Sequence, residues 1–207
     1  MIKKIMSFVF AVSIIFTLPT TVYASPLKNT DKHLTVEEFA EQYDVTEDEV
    51  IHLEENLTRA KESLKDSNME IGEEKVIPIS ENLVLRLQTE FAPNARKTIH
   101  ERTITATMSL ENVLGMTVIE LRSIGVFRTD GSTSTPVDAY GSYDSWTWNI
   151  TNTSSSLGSP AYNARVRNTF SGELNIGIDD LHLTIQSFNN TCTIYCNAVG
   201  TASASWK

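Results

Sequence analysis

The stretch Thr103-Ile104-Thr105-Ala106-Thr107-Met108-Ser109-Leu110 decides the fold class. Its apolar residues, Ile104, Ala106, Met108 and Leu110, take every second position, and hydroxylated residues fill the positions between. Successive side chains of an extended chain point to opposite faces, so this is a half-buried β-strand with one hydroxyl-bearing, wet face. Related patterns run on both sides of it. Leu83, Leu85 and Leu87 alternate with Val84, Arg86 and Gln88, a pattern that suits a first strand and also a short helix. Pro93-Asn94 signals a turn. Met116 to Phe127 is rich in β-branched residues, with Gly125 placed for a bulge, and Thr129-Asp130-Gly131-Ser132 has hairpin-turn composition.

Further along, residues 137–143 and 145–151 read as the next strand pair, and 153–160 as a Ser/Gly/Pro loop. Tyr162, Ala164, Val166, Asn168 and Phe170 then alternate with Asn163, Arg165, Arg167 and Thr169. Residues 181–188 and 192–206 close the chain, divided at Asn189-Asn190. About eight strands at this spacing predict an antiparallel β-sandwich or distorted barrel over residues 75–207.

Ahead of these strands lies a different composition. Residues 25–74 hold 15 acidic and 5 basic side chains, whereas residues 75–207 hold 11 and 10. Two capping boxes stand in the acidic part, Thr35-Val36-Glu37-Glu38 and Thr46-Glu47-Asp48-Glu49. In each, the threonine accepts from a free N–H of the first turn and the glutamate reaches back. Val36, Phe39, Ala40 and Tyr43 make one helical stripe, and Val50, Leu53, Leu57, Ala60 and Leu64 a second. The class is therefore α+β, mainly β: an N-terminal acidic helical hairpin followed by the sandwich. Residues 72–78 read as the linker. Three roles stay open for residues 25–74: a pro-region, a permanent cap on the sheet, or a partner-binding module.

Export is written into residues 1–24. Lys3 and Lys4 precede the uncharged apolar run 5–18, and Val22-Tyr23-Ala24 supplies the small residues that signal peptidase reads, so cleavage is expected between Ala24 and Ser25. The expected location is extracellular. The formal net charge is -9, and losing residues 1–24 removes two lysines and no acid, which makes the exported chain more acidic still. Such a chain repels nucleic acid as a whole, and Glu47, Asp48 and Glu49 stand where a DNA-reading helix would meet phosphates. No nucleic-acid partner is expected.

Cys192 and Cys196 belong to an exported chain, where disulfides persist. Four residues of strand separate Cα atoms by roughly 13 Å, and a disulfide needs roughly 4.4–6.8 Å. Either a tight turn brings the two together as a bridge, or they are two buried thiols on one strand face.

Catalytic signatures are not found. His33, His52, His100 and His182 are scattered, and G-x-S-x-G, H-E-x-x-H and P-loop patterns do not occur. Glu90, Glu101, Glu120 and Asp144 are the carboxylates from which a glycosidase-like pair could be assembled. Tyr140, Tyr143, Trp146 and Trp148 suit either a core or a sugar-facing patch. Asp179-Asp180 reads as a turn before it reads as a calcium loop. The expectation is a protein without enzymatic activity, metal or cofactor. The Thr/Ser alternation also suits a membrane-inserting hairpin, although any exported sandwich carries it on a wet face.

The segments VEEFAEQYDVTEDEVIHLEENL (36–57), AYNARVRNTFSG (161–172) and CNAVGTASASW (196–206) resemble small exported proteins of Gram-positive spore-formers. The named set that the architecture resembles is the geobacillin-type large secreted bacteriocins. That resemblance implies a secreted antibacterial protein acting on related bacteria, with a cell-surface or protein target. It carries no residue-level motif. The competing reading is a non-toxic extracellular binding protein, with a membrane-inserting β-toxin or a secreted hydrolase behind it.

Overall fold

In a computed structural model of the chain, the described residues are 34–64, 68–92, 101–145, 148–178 and 181–207. The expected signal peptide with its Ala24–Ser25 junction, His33, the Pro93-Asn94 turn, His100, Trp146 and Asp179-Asp180 lie outside them, as does the side chain of His182.

The stretch that opened the sequence reading is the centre of a five-stranded antiparallel sheet. Its strands are β3 (Glu74–Pro78), β4 (Leu83–Phe91), β5 (Glu101–Asn112), β6 (Thr117–Thr129) and β7 (Ser134–Ser145), hydrogen-bonded in chain order. Ile104, Ala106, Met108 and Leu110 are buried, while Thr103, Thr105 and Thr107 on the other face are half-buried. Leu83, Leu85 and Leu87 are also buried, so the strand reading of that stretch holds and the helical one does not. The Asp130 turn joins β6 to β7: its Oδ1 accepts from Ser132 N at 2.9 Å and Thr133 N at 2.7 Å, with Gly131 at φ +87.

The second sheet has six strands. Its path is β1 (Leu34–Thr35), β9 (Asn163–Ile178), β10 (Leu181–Asn197), β11 (Ala202–Trp206) and β2 (Asn68–Glu70), with β8 (Trp148–Leu157) pairing along β9 as well. Only β1 on β9 is parallel among the described pairs. The sheets pack face to face, and one apolar cluster takes side chains from both. Asn168 Nδ2 on β9 donates to Ser123 Oγ on β6 at 2.6 Å across this interface. A Cβ added to Gly125 would sit 2.7 Å from Val166 Cγ2, so glycine is what lets β6 approach β9 so closely.

Several boundaries differ from the sequence reading. Residues 72–78 are no linker: Gly72, at φ +85, turns the chain into edge strand β3. The bulge beside Gly125 falls on β7, where Val137 is the extra residue between Val126–Asp138 and Phe127–Pro136. Strands β7 and β8 form no hairpin, because β7 pairs with β6 and β8 with β9 in the other sheet. Most of the expected Ser/Gly/Pro loop is the second half of β8. Asn189-Asn190 does not break the chain either; β10 continues through it, paired with Ser171 and Phe170. From residue 74 onward the described strands are β3 to β11, nine where about eight are expected, and β1 and β2 lie ahead of them.

Both capping boxes form, at α1 (Val36–Tyr43) and α2 (Glu47–Ile51), and α3 (Leu53–Glu62) follows after a break at His52. No described helix is long and apolar enough to cross a membrane. Phe39, Tyr43, Val50, Leu53, Leu57 and Leu64 join the same cluster as the sheets. Two contacts seat the helices on strand ends: Asn112 Nδ2 donates to Tyr43 O at 2.8 Å, and Asn82 donates to Glu49 through N at 2.8 Å and Nδ2 at 3.0 Å.

Glu49 makes this junction acid-sensitive. Burial pushes its carboxyl up, but the Ser80 hydroxyl, Thr46 and Asn82 converge on it and hold it at about 2, below the ordinary 4.5. A depressed folded-state value stabilises the fold above the unfolded value and loses that contribution as pH falls from 4.5 toward 2. We expect Glu49→Gln to cost on the order of 2 kcal/mol at neutral pH, with the gap closing toward pH 2. Urea titrations at several pH values check this. A gap that stays constant with pH would mean that the charge is not what holds the junction.

Candidate functional site

Inside the sandwich, beside α3, lies a cavity of ≈ 40 Å³ walled by Leu57, Met108, Leu121, Trp148 and Phe188, with Lys61 and Asn190 at its polar side. Burial lowers the Lys61 pKa. Ligand pockets run to about 300–1,000 Å³, so this volume is a packing gap on the scale of a water or two. Trp148 belongs to the core here, in an edge-to-face contact with Phe188 at 5.3 Å, while Tyr140 and Tyr143 are exposed.

Cys192 and Cys196 are free, fully buried, and on one face of β10. No turn interrupts the strand between them, and the bridge allowed by the sequence is not formed. Burial pushes the Cys192 thiol up to about 12 and raises Cys196 as well. Both act as small apolar fillers, unreactive while the fold holds.

Of the four candidate carboxylates, the register brings together Glu120 and Asp144, directly opposite one another on β6 and β7. Glu120 is also paired with Arg122. Glu101 pairs with Arg128 at 3.6 Å, and Glu90 stands opposite Thr105. Among the described residues no group of three or more His, Cys, Asp or Glu converges as a metal site.

A broad concavity lies on the outer face of the six-stranded sheet. Along β9, Ala164, Val166, Asn168 and Phe170 are buried, which turns Arg165, Arg167 and Thr169 outward. Residues directly opposite in an antiparallel ladder share a face, so the register extends this surface over three further strands. Arg165 stands opposite Tyr195, and Tyr195 opposite Ser203. Arg167 stands opposite Thr193, Thr193 opposite Ser205, and Ser205 opposite Asn68. Thr169 and Thr191 hydroxyls meet at 3.0 Å, and Lys207 is clamped beside Thr191 by two backbone bonds of 2.8 and 2.9 Å. The concavity measures ≈ 690 Å³, and its lining holds two arginines, a lysine, hydroxyls and amides, with no Asp or Glu side chain.

The charges on the two sheets are handled differently. On the five-stranded sheet Arg86 pairs with both Glu74 and Glu111, Arg122 with Glu120, and Arg128 with Glu101. Arg102 lies over the Phe91 ring at 6.0 Å. On the six-stranded sheet, Arg165, Arg167 and Lys207 have no ion-pair partner among the described residues, and both arginines are exposed. Glu70, opposite Ser203 on the edge strand, and Glu173, further along β9, mark the rim.

The alternation that turns these arginines outward is legible in residues 162–170, but nothing local singles the two out. The readable signal was a pair of cations two residues apart on a wet face, with the hydroxyl-bearing alternation of Thr201–Ser205 elsewhere in the chain. That the two would lie side by side depends on the β9–β10–β11 register. Compared with family models, with curated proteins and with solved structures, the chain matches none.

Proposed function

We propose that this is an exported binding protein, and that the outer face of the six-stranded sheet attaches it to an anionic component of a bacterial surface. One observation carries the reading: in an acidic chain whose other described arginines are paired with carboxylates or lie over a ring, Arg165 and Arg167 have no ion-pair partner among the described residues and line a concavity without Asp or Glu side chains. Net charge does not decide such a contact. Screening at physiological ionic strength acts over about 8 Å, so a ligand in the concavity meets the local cations before the distant helices. Fork-shaped guanidinium groups also bind phosphate or carboxylate oxygens in pairs, which gives orientation as well as attraction.

The resemblance to geobacillin-type bacteriocins adds an effect to the attachment, inhibition of related bacteria. An acidic protein has no bulk attraction to anionic membranes, so action through a bound surface component suits it better than membrane disruption. The test is co-sedimentation with walls of related Gram-positive strains, run beside zones of inhibition on lawns of the same strains. Binding with zones supports an antibacterial protein, and binding without zones leaves a non-toxic surface-binding protein. No sedimentation with any wall would overturn the attachment itself.

A further inference from the structure

We propose that the ligand of this face is a polyol-phosphate polymer, bound in extended form diagonally across β9, β10 and β11. The inference rests on the attachment reading above and specifies its chemistry. Arg165 and Arg167 are two positions apart on one strand face, which sets their Cα atoms roughly 7 Å apart. Lys207 continues the line two strands over and further along, so the three cations form an oblique stripe roughly 15–20 Å long. A compact anion would engage one end of such a stripe. A flexible chain with a charge on every repeat engages all of it, and a short polyol between phosphates places successive charges at a separation comparable to that of the arginines.

The surface between the cations fits the rest of such a polymer. Thr193, Ser205 and Tyr195 present hydroxyls along the stripe, able to donate to phosphate oxygens and to exchange hydrogen bonds with polyol hydroxyls. Tyr195 is the single aromatic residue in the lining. Proteins that hold single-stranded nucleic acid stack successive bases on several aromatic rings, and that platform is not built here. A polyuronate would bring charge without the phosphate oxygens that the guanidinium forks and hydroxyls can share.

The experiment uses the chain lacking residues 1–24 and fluorescently labelled poly(glycerol phosphate), followed by anisotropy over a salt series. Polygalacturonate and single-stranded DNA serve as competing probes. The expected result is saturable binding to poly(glycerol phosphate), weakening with salt as about two to three released counterions require. Affinity for the other two probes is expected to be at least tenfold lower. Arg165→Ala with Arg167→Ala is expected to lose about tenfold or more per arginine, with an unchanged urea midpoint because both side chains are exposed. Arg165→Lys with Arg167→Lys keeps the charge and loses the forks, so it should retain the salt dependence at reduced affinity. Equal affinity for any of the three polymers, or no response to either double variant, would overturn the proposal. Sedimentation with intact walls but no binding to poly(glycerol phosphate) would reject the polymer class and leave the attachment standing. Failure of both would reject the attachment reading too.

Discussion

Residues 74–207, produced without the segment before them, are expected not to fold. The helices are not an appendage on a finished sandwich. Leu57 and Lys61 of α3 wall the same cavity as Leu85, Met108, Trp148 and Phe188 from the two sheets. Their loss would open those side chains to water and leave Asn82 and Asn112 without the Glu49 and Tyr43 acceptors that they reach. At about 25 cal/mol per Å², uncovering a few hundred Å² of apolar surface costs about 5–10 kcal/mol. The whole stability of an ordinary domain is about 5–15 kcal/mol, so the loss is comparable to everything available. Strand β2 would go as well, taking the outer partner from β11. Urea titration followed by circular dichroism should give a cooperative transition for residues 25–207. Residues 74–207 should give a sloping, non-cooperative trace with strong binding of a hydrophobic dye. Two cooperative transitions with the same midpoint would show instead that the helices are a separable cap, and would favour the pro-region reading.

What could be read in advance follows from the range of the interaction that writes each feature. The capping boxes at Thr35 and Thr46 are closed within four residues, so spacing alone announces them. The burial of Ile104, Ala106, Met108 and Leu110 is written at period two, because a sheet with one dry face sorts side chains that way. Asn189-Asn190 misled for the opposite reason. Its turn preference is local and weak, and the ladder to Phe170 and Ser171 overrides it. Gly125 signalled an irregular strand, whereas its reason for being glycine is Val166, some forty residues away in sequence and in the other sheet. The proposed binding face divides in the same way. That Arg165 and Arg167 share a side of one strand was visible. That Tyr195, Ser203 and Ser205 come to lie beside them, with no carboxylate among them, depends on pairing between strands that no window along the chain contains.

Trp206→Ala is expected to cost about 3–5 kcal/mol. Trp206 is the bulkiest of the fully buried side chains among the described residues, and its ring lies 5.9 Å from that of Phe170. It sits on the five-residue strand β11, directly opposite Cys192. A strand this short contributes few ladder bonds, so the anchor of β11 is its inward face, where Trp206 is accompanied only by Ala202 and Ala204. Removing the indole leaves two alanines to hold the strand. Trp206→Phe separates ring burial from the indole N–H. The Nε1 group has no hydrogen-bond partner among the described residues, so deleting it forfeits no bond to them, and the phenyl ring retains most of the contact with Phe170. The phenylalanine variant should therefore lose under about 2 kcal/mol. Urea midpoints of the three proteins test the order. The consequence reaches the outer face as well, because Ser203, Ser205 and Lys207 are carried by the strand that Trp206 pins. Trp206→Ala should then weaken attachment to bacterial walls even where the rest of the chain is folded, whereas Trp206→Phe should not. An alanine variant that kept full stability would place the anchor of β11 elsewhere, in its pairing with β2 and β10, and would make the outer face independent of the core beneath it.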